Sequence, residues 1–184
     1  ISTVADVAIK LSGIDGYPNG YEFQKISASV MRTDGYKAIA EMMNGVSDKT
    51  GVKVKVNNTQ IFSNAVQAGD VKGLAINGVM IGNIKTQAND ADNALIGAIN
   101  AKKDETGVEA SLDNGRLVLA AKDGRVIRVG AFSGASFMGG DMLGASNGSA
   151  GGGVAFLGSL TFVRQDARDI KIGIDGLSTI SGFT

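Results

Sequence analysis

Hydrophobic and polar positions change rhythm several times along this chain. Near the start, Val7 and Ile9 alternate with polar residues in "VADVAIKL" (Val4 to Leu11), which predicts a strand. "GIDGYPNG" (Gly13 to Gly20) holds the sole proline and a density of turn residues, so it predicts a loop. Tyr21 and Phe23 alternate, then Ile26, Ala28 and Val30 after a slip of one position. That pattern predicts a strand from Tyr21 to Met31 with a bulge near Gln24–Lys25. The period then becomes helical: Ile39, Met42, Met43 and Val46 fall at i, i+3, i+4, i+7, with Asp34 placed as an N-cap. Gly51 follows as a corner, and "VKVKV" (Val52 to Val56) alternates strictly, a half-buried strand with Lys53 and Lys55 toward water.

The same order then recurs. "GLAINGVMIGNI" is two apolar runs joined at Asn77–Gly78, a strong two-residue hairpin signal. Ala94, Leu95, Ala98 and Ile99 form a helical stripe, with Asp90 or Asp92 as the cap. "VEASLDNGRLVLAA" predicts a second hairpin turning at Asn114–Gly115, and Val126, Ile127 and Val129 continue the strands. Asn44, Thr50, Gly51 and Val52 reappear as Asn100, Thr106, Gly107 and Val108, each 56 positions on. Two copies of one helix-plus-strand unit, Tyr36–Val56 and Asp92–Leu112, account for this, each helix being about three turns long.

Nine glycines fall between Gly130 and Gly153, predicting a loop that Phe132, Phe137, Met138, Met142 and Leu143 pin in part to the body. "VAFLGSLTFVRQ" and "IKIGI" close the chain as strands. The expected fold is therefore α+β and β-rich: two duplicated strand–helix–strand modules with antiparallel sheets, plus a Gly-rich loop segment at 130–153. Residues 1–69 make the first module with its entry strands, and residues 70–184 the second module with the loop and the exit strands.

Composition narrows the chemistry. The 184 residues include no Cys and no His, which removes disulfides, the usual zinc sites, thiol nucleophiles and imidazole bases together. Lys plus Arg and Asp plus Glu stand at 18 each, so no net field draws nucleic acid or an anionic membrane. Seven Phe, three Tyr and no Trp are few for base-stacking, and no apolar run is long enough to span a bilayer as a helix. The first residues carry no signal-peptide pattern, and a start at Ile suggests a piece of something longer.

Individual motifs read as structure. "GASNG" places Ser146 as a nucleophile would sit, but the pattern needs a histidine base and a strand-to-helix elbow. "NDADNA" lacks the glycine and closing glutamate of a calcium loop, so capping explains Asp90 and Asp92 better. "RQDARD" (Arg164 to Asp169) reads as a solvated strand end or turn, and Met42 and Met43 as core fillers. Asn57-Asn58-Thr59 and Asn147-Gly148-Ser149 fit the short N-glycosylation pattern. No catalytic residue, cofactor or metal site is expected.

"LAINGVMIGNI", "AINAKKDETGVEAS" and "DNGRLVLAAKDGRVIRV", in that order, resemble the internal repeat of bacterial flagellins and related axial proteins. The likeness covers Leu74 to Val129 closely and Tyr36 to Val56 more loosely. "GSLTFVRQDARDIKI" (Gly158 to Ile172) resembles the segment by which flagellins of the Helicobacter and Campylobacter type leave their surface domains. The resemblance implies a structural, non-enzymatic surface domain of the extracellular flagellar filament, serving motility and exported unfolded by the flagellar type III route. It also implies that partner flagellin subunits are bound through terminal helices missing here, leaving this fragment monomeric, without nucleic acid or membrane insertion. The filament cap protein shares the repeat and is the alternative within the class; a surface adhesin or carbohydrate-binding module is the alternative outside it. Flagellins of this type carry O-linked sugars on exposed Ser and Thr, which makes Ser133, Ser136, Ser146 and Ser149 candidates. Ser146 and Ser149 are favoured because they lie beyond the apolar residues of the loop.

Overall fold

The computed structural model describes residues 6–131 and 153–176. The chain opens with β1 (Ala8–Ser12), the Gly13–Gly20 loop and the two-residue β2 (Tyr21–Glu22). Three helices follow, α1 (Ala28–Thr33), α2 (Tyr36–Asn44) and α3 (Ser47–Thr50), then the 14-residue strand β3 (Val52–Ala65). Next come β4 (Gly69–Ile76), β5 (Val79–Thr86), a 3-10 turn at Ala88–Asp90, α4 (Ala94–Asn100), α5 (Lys103–Thr106), β6 (Glu109–Asp113) and β7 (Arg116–Ala121). β8 (Ile127–Ala131), β9 (Val154–Phe156), β10 (Ser159–Arg164) and β11 (Lys171–Asp175) complete the order. Among the described residues every strand pairing is antiparallel, so the α+β, β-rich class expected from the alternation is the one found.

The repeat alone suggests a single cut between residues 69 and 70, whereas contacts divide the chain into two discontinuous units. Among the described residues, the first holds 6–57, 124–126 and 157–176, and the second holds 58–123, 127–131 and 153–156. The reason lies in the ladders. β3 pairs with β10 from Val52 to Asn57, then with β7 from Asn58 onward, so the boundary falls inside a strand.

In the first unit, β1 is the middle strand between β11 and β2. Ile9 and Leu11 point inward from β1 to a core with Met31, Ile39, Met43, Val52 and Val54. The strand expected over Tyr21–Met31 is cut short. Ile26 bridges to Val7, and then Ser27 caps α1, its hydroxyl accepting from the Val30 N–H at 3.4 Å. Helical spacing buries Met31 and leaves Val30 38% exposed, the reverse of what an alternating strand would do. Asp34 is consequently at the C-terminal end of α1, its N–H donating to the Val30 carbonyl, and does not cap the next helix. Gly35 holds that place instead, at φ 56°, where a Cβ would stand 2.6 Å from Val126 and 2.9 Å from Leu157.

In the second unit, β4 lies between β5 and β8, β9 flanks β8, and β7 joins β3 to β6. The hairpin at Asn77–Gly78 has φ of 50° and 79°, and the one at Asn114–Gly115 has 50° and 76°. Positive φ at both central residues is the type I′ geometry whose twist matches the flanking strands. α4 packs on β5 and β6, and Leu95 and Ile99 enter a core with Leu74, Ile76, Leu117, Leu119 and Ile127. Each expected three-turn helix is in fact two pieces, α2 with α3 and α4 with α5, broken at Gly45–Val46 and Ala101–Lys102.

Candidate functional site

The repeated residues are where the sequence concentrates its information, and the structure gives them one shared task. In the first unit the Asn44 side chain donates to the Val54 carbonyl at 2.7 Å and accepts from the Val54 N–H at 2.8 Å. In the second, Asn100 donates to the Ala110 carbonyl at 2.9 Å and accepts from the Ala110 N–H at 2.7 Å. A primary amide has one donor and one acceptor in the same plane, so it satisfies a strand residue as a neighbouring strand's peptide would. Both Asn residues end a helix, and both targets lie ten positions on, in the following strand.

Thr and Gly complete the clasp. The Thr50 hydroxyl donates to the Val46 carbonyl at 3.3 Å and accepts from the Val52 N–H at 3.3 Å. Thr106 repeats this with the Lys102 carbonyl at 3.0 Å and the Val108 N–H at 3.1 Å. Gly51 and Gly107 sit at φ 69° and 71°, the left-handed corner that lets a helix turn directly into a strand. Asn77 adds a third tie in the second unit. Its amide donates to the Thr106 carbonyl at 2.9 Å and accepts from the Arg128 N–H at 2.8 Å.

Both candidate caps act at the start of α4. The buried Asp90 carboxylate accepts from the Leu95 N–H at 2.9 Å and the Ile96 N–H at 3.0 Å, and Asp92 accepts from Ala94 at 3.2 Å. Asn93 stands at the N-cap position itself, at φ 56° and with no side-chain capping bond. Asp90 is thus committed to backbone, and no metal-competent group of three or more His, Cys, Asp or Glu occurs among the described residues. "RQDARD" is more than a solvated turn. Arg164 is 4% exposed in its side chain, donates to the carbonyls of Asp169 and Gly13, and lies 2.7 Å from Asp166. Arg168 grips Asp15 through two bonds of 3.0 and 2.7 Å, and that guanidinium holds the Asp15 carboxyl below its ordinary range. On the second unit's surface, the Lys122 ammonium 2.7 Å from Glu109 lowers that carboxyl likewise.

Surface grooves among the described residues carry charged rims. One of about 470 Å3 lies over Ala8, Lys10, Phe23 and Gly173, with Glu22 and Asp175 at its edge and Lys10 3.3 Å from Glu22. One of about 520 Å3 is bordered by the paired Arg164 and Arg168, and one of about 280 Å3 by Lys122 and Glu109. Lys10 is paired with Glu22, Arg164 with Asp166, Arg168 with Asp15, and Lys122 with Glu109. Ser133, Ser136, Ser146 and Ser149, with the "GASNG" motif, lie outside the described residues. Asn57 is exposed in β3 opposite Ser159, while its neighbour Asn58 is buried and donates to the Phe156 carbonyl at 2.8 Å. Sequence reasoning found the repeated Asn, Thr and Gly but not the strand atoms they hold; the constant spacing was the only signal.

The described polar side chains serve a scaffold: repeated clasps, buried caps and surface ion pairs. Against that background, residues 73–123, mostly β4 to β7, match the family model described as the Flagellin hook IN motif. The chain is 40% identical to Flagellin B of Helicobacter pylori over 173 residues, 92% of this chain and 33% of that protein. It is 43% identical to Flagellin A of Helicobacter mustelae over 160 residues (80% and 32%). It is 35% identical to Flagellin A of Helicobacter felis over 176 residues (94% and 34%). The chain spans about a third of the length of these relatives. It belongs with the flagellins of the Helicobacter type.

Proposed function

We propose that this chain is an outward-facing structural part of a flagellin subunit in the extracellular flagellar filament, with no enzymatic role of its own. The observation that carries the reading is similarity to Helicobacter pylori Flagellin B along 92% of the chain. The repeated clasps support it, because their polar groups are engaged in joining helices to strands. Contacts with neighbouring subunits are supplied by segments outside this sequence, and the surface domain remains monomeric alone. Exposed lysines such as Lys53 and Lys55 on β3 discourage strand-to-strand association. Ser146 and Ser149, ahead of Ser133 and Ser136, are the proposed O-glycosylation sites, to be read by peptide mapping of protein from the native host. Unmodified Ser146 and Ser149 would retire that assignment.

Gold-labelled antibodies raised against this chain test the function. Labelling along the whole filament is expected. Labelling confined to the filament tip would move the chain to a cap, and absence from intact filaments would overturn the reading.

A further inference from the structure

Asparagine followed by glycine is chemically labile. The glycine amide nitrogen, once deprotonated, attacks the asparagine Cγ; a C–N bond forms, ammonia leaves, and a five-membered succinimide remains. Water then opens either carbonyl, giving Asp or a β-linked isoaspartate, so the net reaction is hydrolysis of the side-chain amide. Glycine favours this because it has no Cβ to obstruct the approach and gives the backbone the freedom the ring needs.

The sequence holds five Asn-Gly pairs, beginning at Asn19, Asn44, Asn77, Asn114 and Asn147. Asn147 lies outside the described residues. The other four fall into two classes. Asn44 and Asn77 each have the side-chain carbonyl and the amide nitrogen held by backbone partners, at 2.7–2.9 Å. Asn19 is exposed in the β1–β2 loop and makes no side-chain hydrogen bond to a described residue, while the Gly20 N–H that follows it donates to the Tyr17 carbonyl at 2.9 Å. Asn114 is exposed at a hairpin tip and makes one long bond, 3.4 Å, to Asp113.

We propose that Asn19 and Asn114 are sites of spontaneous succinimide formation and isoaspartate accumulation in the folded protein, while Asn44 and Asn77 are protected by their clasps. Cγ of a clasped asparagine reaches the next nitrogen only after two hydrogen bonds break, and that requirement slows it by about thirtyfold or more. At both sites a turn must open before the ring can close: the Gly20 N–H donates to the Tyr17 carbonyl at 2.9 Å, and Asn114 occupies a type I′ corner.

The test is incubation of the full 184-residue chain at mildly alkaline pH, with peptide mapping for the gain of about one dalton and isoaspartate assay by an isoaspartyl methyltransferase. A parallel sample in concentrated urea removes the clasps. Isoaspartate at Asn19 and Asn114 in the folded chain, with Asn44 and Asn77 converting only in urea, is the expected result. Conversion of Asn44 or Asn77 in the folded chain at the rate of Asn19 would overturn the proposal. So would a folded chain in which Asn19 and Asn114 stay intact while the urea sample converts. The variant Asn19→Gln should lose its own signal and leave the Asn114 rate unchanged.

Discussion

Replacing Asn100 by Ala removes both hydrogen bonds that the side chain makes to Ala110, at 2.9 and 2.7 Å. Each such bond contributes about 1 kcal/mol net, and leaving partly buried strand groups unmatched adds to the loss. The expected cost is roughly 2–3 kcal/mol. Asn44→Ala should cost a similar amount in the first unit, because Val54 is held by the same two bonds. The three tyrosines, Tyr17, Tyr21 and Tyr36, all lie in the first unit, so their fluorescence reports its unfolding in urea. Circular dichroism reports both units, so a transition seen there and not in the fluorescence belongs to the second. Asn100→Asp is the sharper variant: it keeps the acceptor for the Ala110 N–H but sets a carboxylate oxygen against the Ala110 carbonyl. It should be as damaging as Ala at neutral pH and recover stability as acid protonates the carboxyl into a donor. If Asn44→Ala and Asn100→Ala both leave stability within about 0.5 kcal/mol of the parent, the clasp reasoning is refuted.

Leu95 is fully buried beneath α4, so Leu95→Ala should cost about 2–5 kcal/mol in urea unfolding through the cavity it leaves. Asp90→Ala should cost about 2 kcal/mol, and Asp92→Ala markedly less, since Asp90 is buried and accepts from two helix N–H groups. Burial pushes the Tyr36 phenol up to about 12 from its ordinary 10. Its stabilising effect is therefore complete below pH 10 and lost as pH rises toward 12, and a spectrophotometric titration should show one tyrosine ionising late. In light scattering at physiological salt the chain alone should remain monomeric; long polymers would contradict the proposed division of labour.

The parts of the fold legible in sequence were those fixed by local chemistry. Strict alternation marked the start of β3, Asn-Gly pairs marked both hairpins, and Thr-Gly-Val after a helical stripe marked both corners. α1 was hidden because "ISASVM" alternates like a strand, and only the Ser27 cap and burial of Met31 distinguish the helix. Long-range pairing was invisible for a different reason. β1 meets β11, with Ala8 opposite Asp175, and β3 meets β10, but period-two patterns carry no record of which partner lies across the ladder. The discontinuous units follow from those pairings. The clasp was half legible: the repeat exposed Asn44 and Asn100, while their role as substitutes for a strand edge needed coordinates.

The proposed role puts this chain on the outside of a flagellin's filament as a folded scaffold. A cryo-electron reconstruction of filaments from the native host tests it most directly. Density for both units is expected on the outer surface along the whole shaft, with α3 and α5 each leading into its strand through the Gly51 and Gly107 corners. Finding residues 6–131 and 153–176 within the filament's inner core, or absent from the shaft, would contradict it.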